Sequence, residues 1–287
     1  MNEPTLPDNV ETPMQSAVGS PNHGLVAHPP RLHRASRKPA TPSAVSAILT
    51  YGKLAACKLA RRPPSQLERD INRRLLGYPR NHNYQIADRR VTPGFKLHVR
   101  SRIVTSLYPE PLESFLDIGC CRGFFVLEAA ERPACRAAVG IDVHEPFVSI
   151  SKRVSEHLGL RAAGFHLATL DHVSRRPEAY GGPFQTVLLL GTYHYLFWGS
   201  QLCRNAYDSH REILSRLARI CSSRLVFSAR LEVSRLPRFL QEKAKASGKS
   251  AAYNTSRFLE TAEEHFDIQQ AGYLGKDPLF VLSRSTA

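Results

Sequence analysis

Phe115-Leu-Asp-Ile-Gly-Cys-Cys-Arg-Gly-Phe-Phe125 is the stretch on which the reading of this 287-residue chain turns. A short apolar run delivers Asp117. Gly119 and Gly123 then bracket a tight turn whose far side, from Phe124, reads as the first turn of a helix. Amides at the start of such a helix have no partner within it and point at whatever lies over the strand end. Glycine in the turn lets a ligand come close to the backbone. The glycine spacing differs from the G-x-G-x-x-G of a diphosphate loop, and a carboxylate stands two residues ahead of the first glycine. The turn therefore suits a cationic group better than a diphosphate.

Working outward, Ala137-Ala-Val-Gly-Ile-Asp142 is a second buried strand that ends in an acid. Asp142 follows Gly123 by 19 residues, the separation at which the end of the next parallel strand sets a carboxylate against ribose hydroxyls. Besides these strands at 114–118 and 137–142, apolar runs predict others over 164–168, 185–191 and 224–229. Helical periodicity falls between them over 123–131, 146–158 and 205–220. Strands alternating with helices imply parallel pairing, right-handed crossovers and helices on both faces. A helix over 256–265 leads into two strand-like runs, 266–272 and 278–283, joined so closely that only an antiparallel hairpin can form. The expected fold class is α/β, a doubly wound, mostly parallel seven-stranded sheet with an antiparallel C-terminal hairpin.

On these residues the chain resembles the class I S-adenosylmethionine-dependent methyltransferases. Their first motif, hydrophobic-hydrophobic-D-x-G-C-x-x-G-x-F, is matched from Phe115 to Phe125, with Cys121 where a middle glycine is common. The resemblance covers roughly 95–283 and implies methyl transfer with S-adenosyl-L-methionine as cofactor. It implies that Asp117, Gly119, Cys120, Cys121, Gly123 and Phe124 wrap the methionine portion. Asp142 and Val143 would hold the ribose, and Leu170 and Asp171, after the third strand, would border the adenine. Leu190 and Gly191, where the fourth strand ends, would face the transferred methyl group.

The segment that follows, Leu190-Gly-Thr-Tyr-His-Tyr195, is also similar to the Gly-x-x-Tyr-His segment of bacterial enzymes that modify wobble uridine in transfer RNA. That likeness is short and unspecific. Tyr193 and His194 are the catalytic candidates here, since imidazole can take a proton from a hydroxyl near neutral pH. Tyr195, Phe197 and Trp198 read equally well as packing. Methyl transfer asks little covalent help of a protein, because the sulfonium is already activated; holding the acceptor in line and excluding water carry most of the catalysis. A base matters only when the acceptor must lose a proton.

Lys96, His98 and Arg100 alternate ahead of the first strand, where a substrate phosphate or carboxylate could use them, although solvated helix positions are the plainer reading. Arg230 and Glu232 follow the fifth strand, and Tyr253 and Asn254 precede the last helix, positions from which loops roof a site.

The segment ahead of this domain has a different composition. Residues 1–42 are rich in Pro, Ser, Asn, His and Arg and read as a disordered basic arm, in which the histidines at 23, 28 and 33 are compositional. Residues 43–94 read as a helical extension. Within it Val45, Ile48, Leu49, Ala56 and Leu59 recur at helical spacing before Pro63, and a second helix starts at Ser65 with Glu68 completing a capping box. The domain proper is assigned to 95–287. Of the net charge of +14, residues 1–110 hold +10 (17 Lys and Arg against 7 Asp and Glu) and the rest +4 (22 against 18). A basic N-terminal region can attract RNA or an anionic surface, or be solvated without a partner.

Six cysteines without a C-x-x-C pair suit neither a disulfide scaffold nor a structural metal, and no metal site is expected. No apolar run is long enough to span a bilayer, and the acidic first residues are unlike a secretory leader, which favours a cytoplasmic protein. The reading is a methyltransferase for a small or medium-sized acceptor, such as a metabolite or a glycan or lipid precursor. Transfer RNA is the alternative acceptor. A nucleic-acid-binding protein on an inactive methyltransferase fold and a nicotinamide oxidoreductase are the rivals, the last disfavoured by the glycine spacing.

Overall fold

The computed structural model describes residues 63–77, 79–204 and 206–284, all in one compact unit. The arm expected over 1–42 and the helix expected over 43–62 lie outside the described residues. The described chain opens with helix α1 (Gln66–Leu75), strands β1 (Tyr84–Ala87) and β2 (Arg90–Pro93), and helix α2 (Phe95–Thr105). Then come β3 (Ser114–Ile118), α3 (Phe124–Ala130), β4 (Ala137–Asp142), α4 (Glu145–Leu158), β5 (Ala163–Leu167) and α5 (Leu170–Arg175). They are followed by β6 (Phe184–Leu190), α6 (Tyr193–Trp198), α7 (His210–Ile220) and β7 (Cys221–Ser228). Helices α8 (Arg238–Ala246) and α9 (Thr255–Ala262) lead into β8 (Phe266–Leu274) and β9 (Asp277–Arg284).

The main sheet runs β5-β4-β3-β6-β7-β9-β8. Its first five strands are parallel, and β9 enters antiparallel between β7 and β8. This is the expected doubly wound sheet with its terminal hairpin. The order reverses at β3, from which the chain winds out to β4 and β5 and then returns to β6 on the other side. That reversal opens a crevice at the carboxyl ends of β3 and β6, where open α/β sheets bind ligands.

Alternation along the strands produces two cores. Leu116, Ile118, Val139, Ile141, Val187, Leu189, Leu225 and Phe227 pack on one face with α6, α7 and α9. Phe115, Ala138, Leu188, Leu190 and Val226 face the other way, where they meet Phe124 to Leu127 of α3, Val148 and Val154 of α4, and the N-terminal elements. Ile71, Leu75, Tyr84, Ile86 and Leu97 are buried in this second core. The segment 63–94 is therefore a cover on the Asp117 side of the sheet.

The cover is pinned by one buried acid. Ser65 and Glu68 form the expected capping box on α1. The Glu68 carboxylate also accepts the amide of Arg89 at 3.1 Å and sits 3.2 Å from Nε2 of His157 on α4. The β1–β2 hairpin was not expected from a stretch that reads as a polar loop. Its two-residue turn is Asp88-Arg89, both at positive φ (53° and 54°). Tight hairpin turns of this kind favour Asn-Gly or Asp-Gly, so the usual signal is missing.

Candidate functional site

Strand pairing sets Asp117 opposite Gly140, and Asp142 lies two residues further along β4, on the same side of the pleat. The ends of two adjacent strands thus present two carboxylates to one face. Burial pushes the Asp117 carboxyl up to about 7, with Arg100 opposing and the Asp142 charge adding to the rise. Burial raises Asp142 as well, against the backbone amides of His144 and Cys121 that hold its charge.

The turn between the carboxylates is built as the sequence suggests. Gly119 and Cys120 donate their amides to Ile141 O at 2.8 and 3.0 Å, which binds the turn to β4. Gly119 and Gly123 have φ of 77° and 76°. A Cβ on Gly119 would collide with Thr192 Oγ1, and one on Gly123 would meet the Phe165 ring at 2.5 Å, so both positions require glycine twice over. Cys121 adopts φ of 52° without that freedom. Its amide is held by Asp142 Oδ2 at 2.9 Å, which stabilises the left-handed backbone.

The other expected residues fall around this turn to differing degrees. Phe124 packs against Tyr84, ring centres 5.8 Å apart, beneath the cover. Val143 is half-buried beside Asp142, and Leu190 is buried at the end of β6. Gly191 is exposed at φ 70° with nothing within 4 Å of a Cβ position, which leaves room above it. Leu170 is buried, while the Asp171 carboxylate is engaged by Arg216 at 2.9 Å and Arg175 at 3.0 Å.

His194 is buried, and its Nδ1 has no hydrogen-bond partner. Burial, with Arg230 adding, lowers its pKa to about 3, so the ring is neutral. Tyr193 points into the core, where its hydroxyl lies 2.6 Å from His210 Nδ1 and its ring packs on Phe227 and Phe258. The geometry brings His194, and not Tyr193, to the position of an unsatisfied polar group. Glu232 and Asn254 serve as caps at the start of α9, and the Tyr253 hydroxyl donates to Arg230 O at 2.6 Å.

The cations near the carboxylates are more telling than the sequence alone implied. Arg122, inside the motif, is buried, with its guanidinium 5.0 Å over the Phe147 ring. Tyr84 donates to its carbonyl at 2.6 Å. Arg100, on α2, is half-buried over the Phe125 ring and donates from Nη1 to His82 Nε2 at 3.0 Å. Burial, then the charges of Arg100 and Arg122, press His82 down to about 3, so it accepts as a neutral ring. The Arg100 Nε has no partner. Sequence reasoning passed over His82 and Arg122 and weighed Arg100 as a solvated residue. The available signal was the absence of any Asp or Glu on α2, whose helix carries Lys96, His98, Arg100 and Arg102.

Two carboxylates and the Arg100 guanidinium around one glycine turn make a charge set complementary to an amino-acid zwitterion. Surface hollows of about 500 and 480 Å³ lie elsewhere, by α4 and β5 and between α7 and α9. Asp117 itself is only 5% exposed, so a ligand reaching it has to displace part of the cover.

No family model matches the chain, and no curated protein matches it. Among solved structures the chain is similar to the bifunctional kinase-methyltransferase WbdD, at 19% identity and a TM-score of 0.45, over 65% of this chain and 38% of that one. It is similar to the N-methyltransferase NodS from Bradyrhizobium japonicum WM9 at 14% identity and a TM-score of 0.43, over 66% and 94% of the two chains. For an O-methyltransferase family protein from Burkholderia thailandensis the values are 13% and 0.45, over 67% and 56%. The chain thus spans about two fifths of the length of WbdD. Likenesses at these scores say nothing of activity or substrate. No helix among the described residues is long and apolar enough to cross a membrane. Residues 1–62, with half of the net +10 of the basic region on which an RNA partner was expected to depend, lie outside the described residues.

Proposed function

We propose that this chain is a methyltransferase that binds S-adenosylmethionine over the β3 and β4 strand ends and passes its methyl group to a small or medium-sized acceptor. The observation that carries the reading is the charge arrangement around the glycine turn: Asp117 and Asp142 on the strand ends, with the Arg100 guanidinium close enough to Asp117 to oppose the rise of its pKa. Asp117 would take the ammonium of the methionine portion, Arg100 its carboxylate, and Asp142 the ribose hydroxyls. Gly119, Cys120, Cys121, Gly123 and Phe124 would line the methionine portion, Val143 the ribose, and Leu170 and Asp171 the adenine side. A diphosphate would set its charge against two acids, which disfavours a nicotinamide cofactor.

S-adenosylmethionine held there would supply an activated methyl group to a lone pair of the acceptor and leave as neutral S-adenosylhomocysteine, the acceptor's proton passing to water. Leu190 and Gly191 border the path of that methyl group. His194 is neutral across the physiological range, and a pKa of about 3 makes it a poor proton acceptor. Its role in this reading is to orient the acceptor through a hydrogen bond at Nδ1, and Tyr193 supports it from the core. Titration calorimetry of the full chain with S-adenosylhomocysteine and with NAD tests the proposal. Binding of the first and not the second is expected; the reverse result would sink it.

A further inference from the structure

Helix α2 is apolar on two opposite faces. Leu97, Ser101 and Val104 are buried against the domain. Val99 and Ile103, spaced i and i+4, lie together on the other side and are 45% and 38% exposed. A helix that only covers a domain carries polar residues on its outer face. Here the outer face also holds Lys96 and Arg102, both exposed, and the helix contains no acid.

We propose that the outer face of α2 docks on an anionic lipid surface. An apolar ridge flanked by cations suits the boundary between headgroups and acyl chains: the ridge enters the acyl region while the long Lys96 and Arg102 stems reach back to the phosphates. Charge chooses between occupants. A second copy would bring the same cations and the same net +14 to a twofold contact, where they repel. An anionic bilayer attracts both. This inference is independent of the methyl-transfer reading, although α2 also carries Arg100, so docking and the crevice share one helix.

The test is sedimentation of the full chain with vesicles of phosphatidylcholine alone and with vesicles in which phosphatidylserine replaces part of it. Binding to the anionic vesicles is expected, weakened about fivefold by each of Lys96→Gln and Arg102→Gln. The pair Val99→Ser and Ile103→Ser should weaken it by about tenfold or more. All four positions are exposed, so thermal melting followed by circular dichroism should be unchanged. The proposal is overturned by equal binding of parent and variants, which would assign attachment to another part of the chain. It is equally overturned by equal binding to neutral vesicles, or by no vesicle binding at all. Dimerisation that these substitutions abolish, or their blocking of an acidic protein's binding, would overturn it when vesicle binding is absent.

Discussion

Asp142 holds the amide of Cys121 at 2.9 Å through Oδ2, so the last residue of one strand fixes the turn that leaves its neighbour. Its Oδ1 accepts the amide of His144 at the same distance. Each oxygen keeps a lone-pair direction for a further donor, which is what a ribose hydroxyl requires.

Asp142→Ala should therefore have two effects. Affinity for S-adenosylhomocysteine should fall steeply, and stability should drop by about 2 kcal/mol, because two amides lose their acceptor at a left-handed residue. Calorimetry and urea unfolding measure these separately. Unchanged affinity in a folded variant would remove Asp142 from the site, and unchanged stability would deny it the turn.

Asp117 should make binding pH-dependent. Its folded pKa of about 7 lies above the ordinary 3.8, so the folded protein holds a proton that the unfolded chain has released. This contribution to stability is complete below pH 3.8 and is lost as pH rises toward 7. A ligand ammonium needs the ionised form, so affinity for S-adenosylhomocysteine should climb between pH 6 and 7, level off above the pKa, and be accompanied by proton release. Calorimetry in buffers of different ionisation heat detects the proton, and Asp117→Asn should flatten the profile. A profile already flat in the parent protein would remove Asp117 from ammonium binding.

Arg100 should distinguish the ends of the ligand. Arg100→Ala is expected to weaken S-adenosylhomocysteine by about 10- to 100-fold, the worth of a charge-assisted hydrogen bond. Methylthioadenosine, which lacks the amino-acid group, should bind both proteins equally. Equal losses for the two ligands would mean that Arg100 acts on the fold alone.

Three histidines set the acid limit, His194 and His210 buried and His82 half-buried. Burial holds His82 and His194 near 3 and His210 near 4, against an ordinary 6.5. The unfolded chain takes up these protons first, so stability falls as pH drops below 6.5 toward 3. Within that window the raised carboxyls of Asp117, Asp142, Glu128 and Glu131 act with the opposite sign, while His166 and Glu68, whose pKa values are lowered, act with the three histidines. Carbon-detected NMR should find the His194 ring neutral at pH 5; a titration midpoint above 6 would restore it as a general base.

The strands, crossovers and terminal hairpin were legible because each leaves a local signature: apolar runs, acids at strand ends, glycines at forced turns, and a connection too short to cross over. Asp117 and Asp142 followed from spacing alone. Arg100 was named as a possible carboxylate partner but read more plainly as solvated, and His82 was hidden, because their placement depends on how α1, β1 and β2 fold back over β3, a contact distant in sequence. Tyr193 and His194 are adjacent and both buried, and only the packing of helix α6 shows that Tyr193 bonds His210 while His194 Nδ1 has no partner.

Tyr84, bonded to the Arg122 carbonyl, ties the cover to the motif itself. A shortened chain starting at Phe95 would keep both acids but leave Phe124 and its neighbours bare to water. Helix α1 from its capped start at Ser65 keeps roof and floor in one piece.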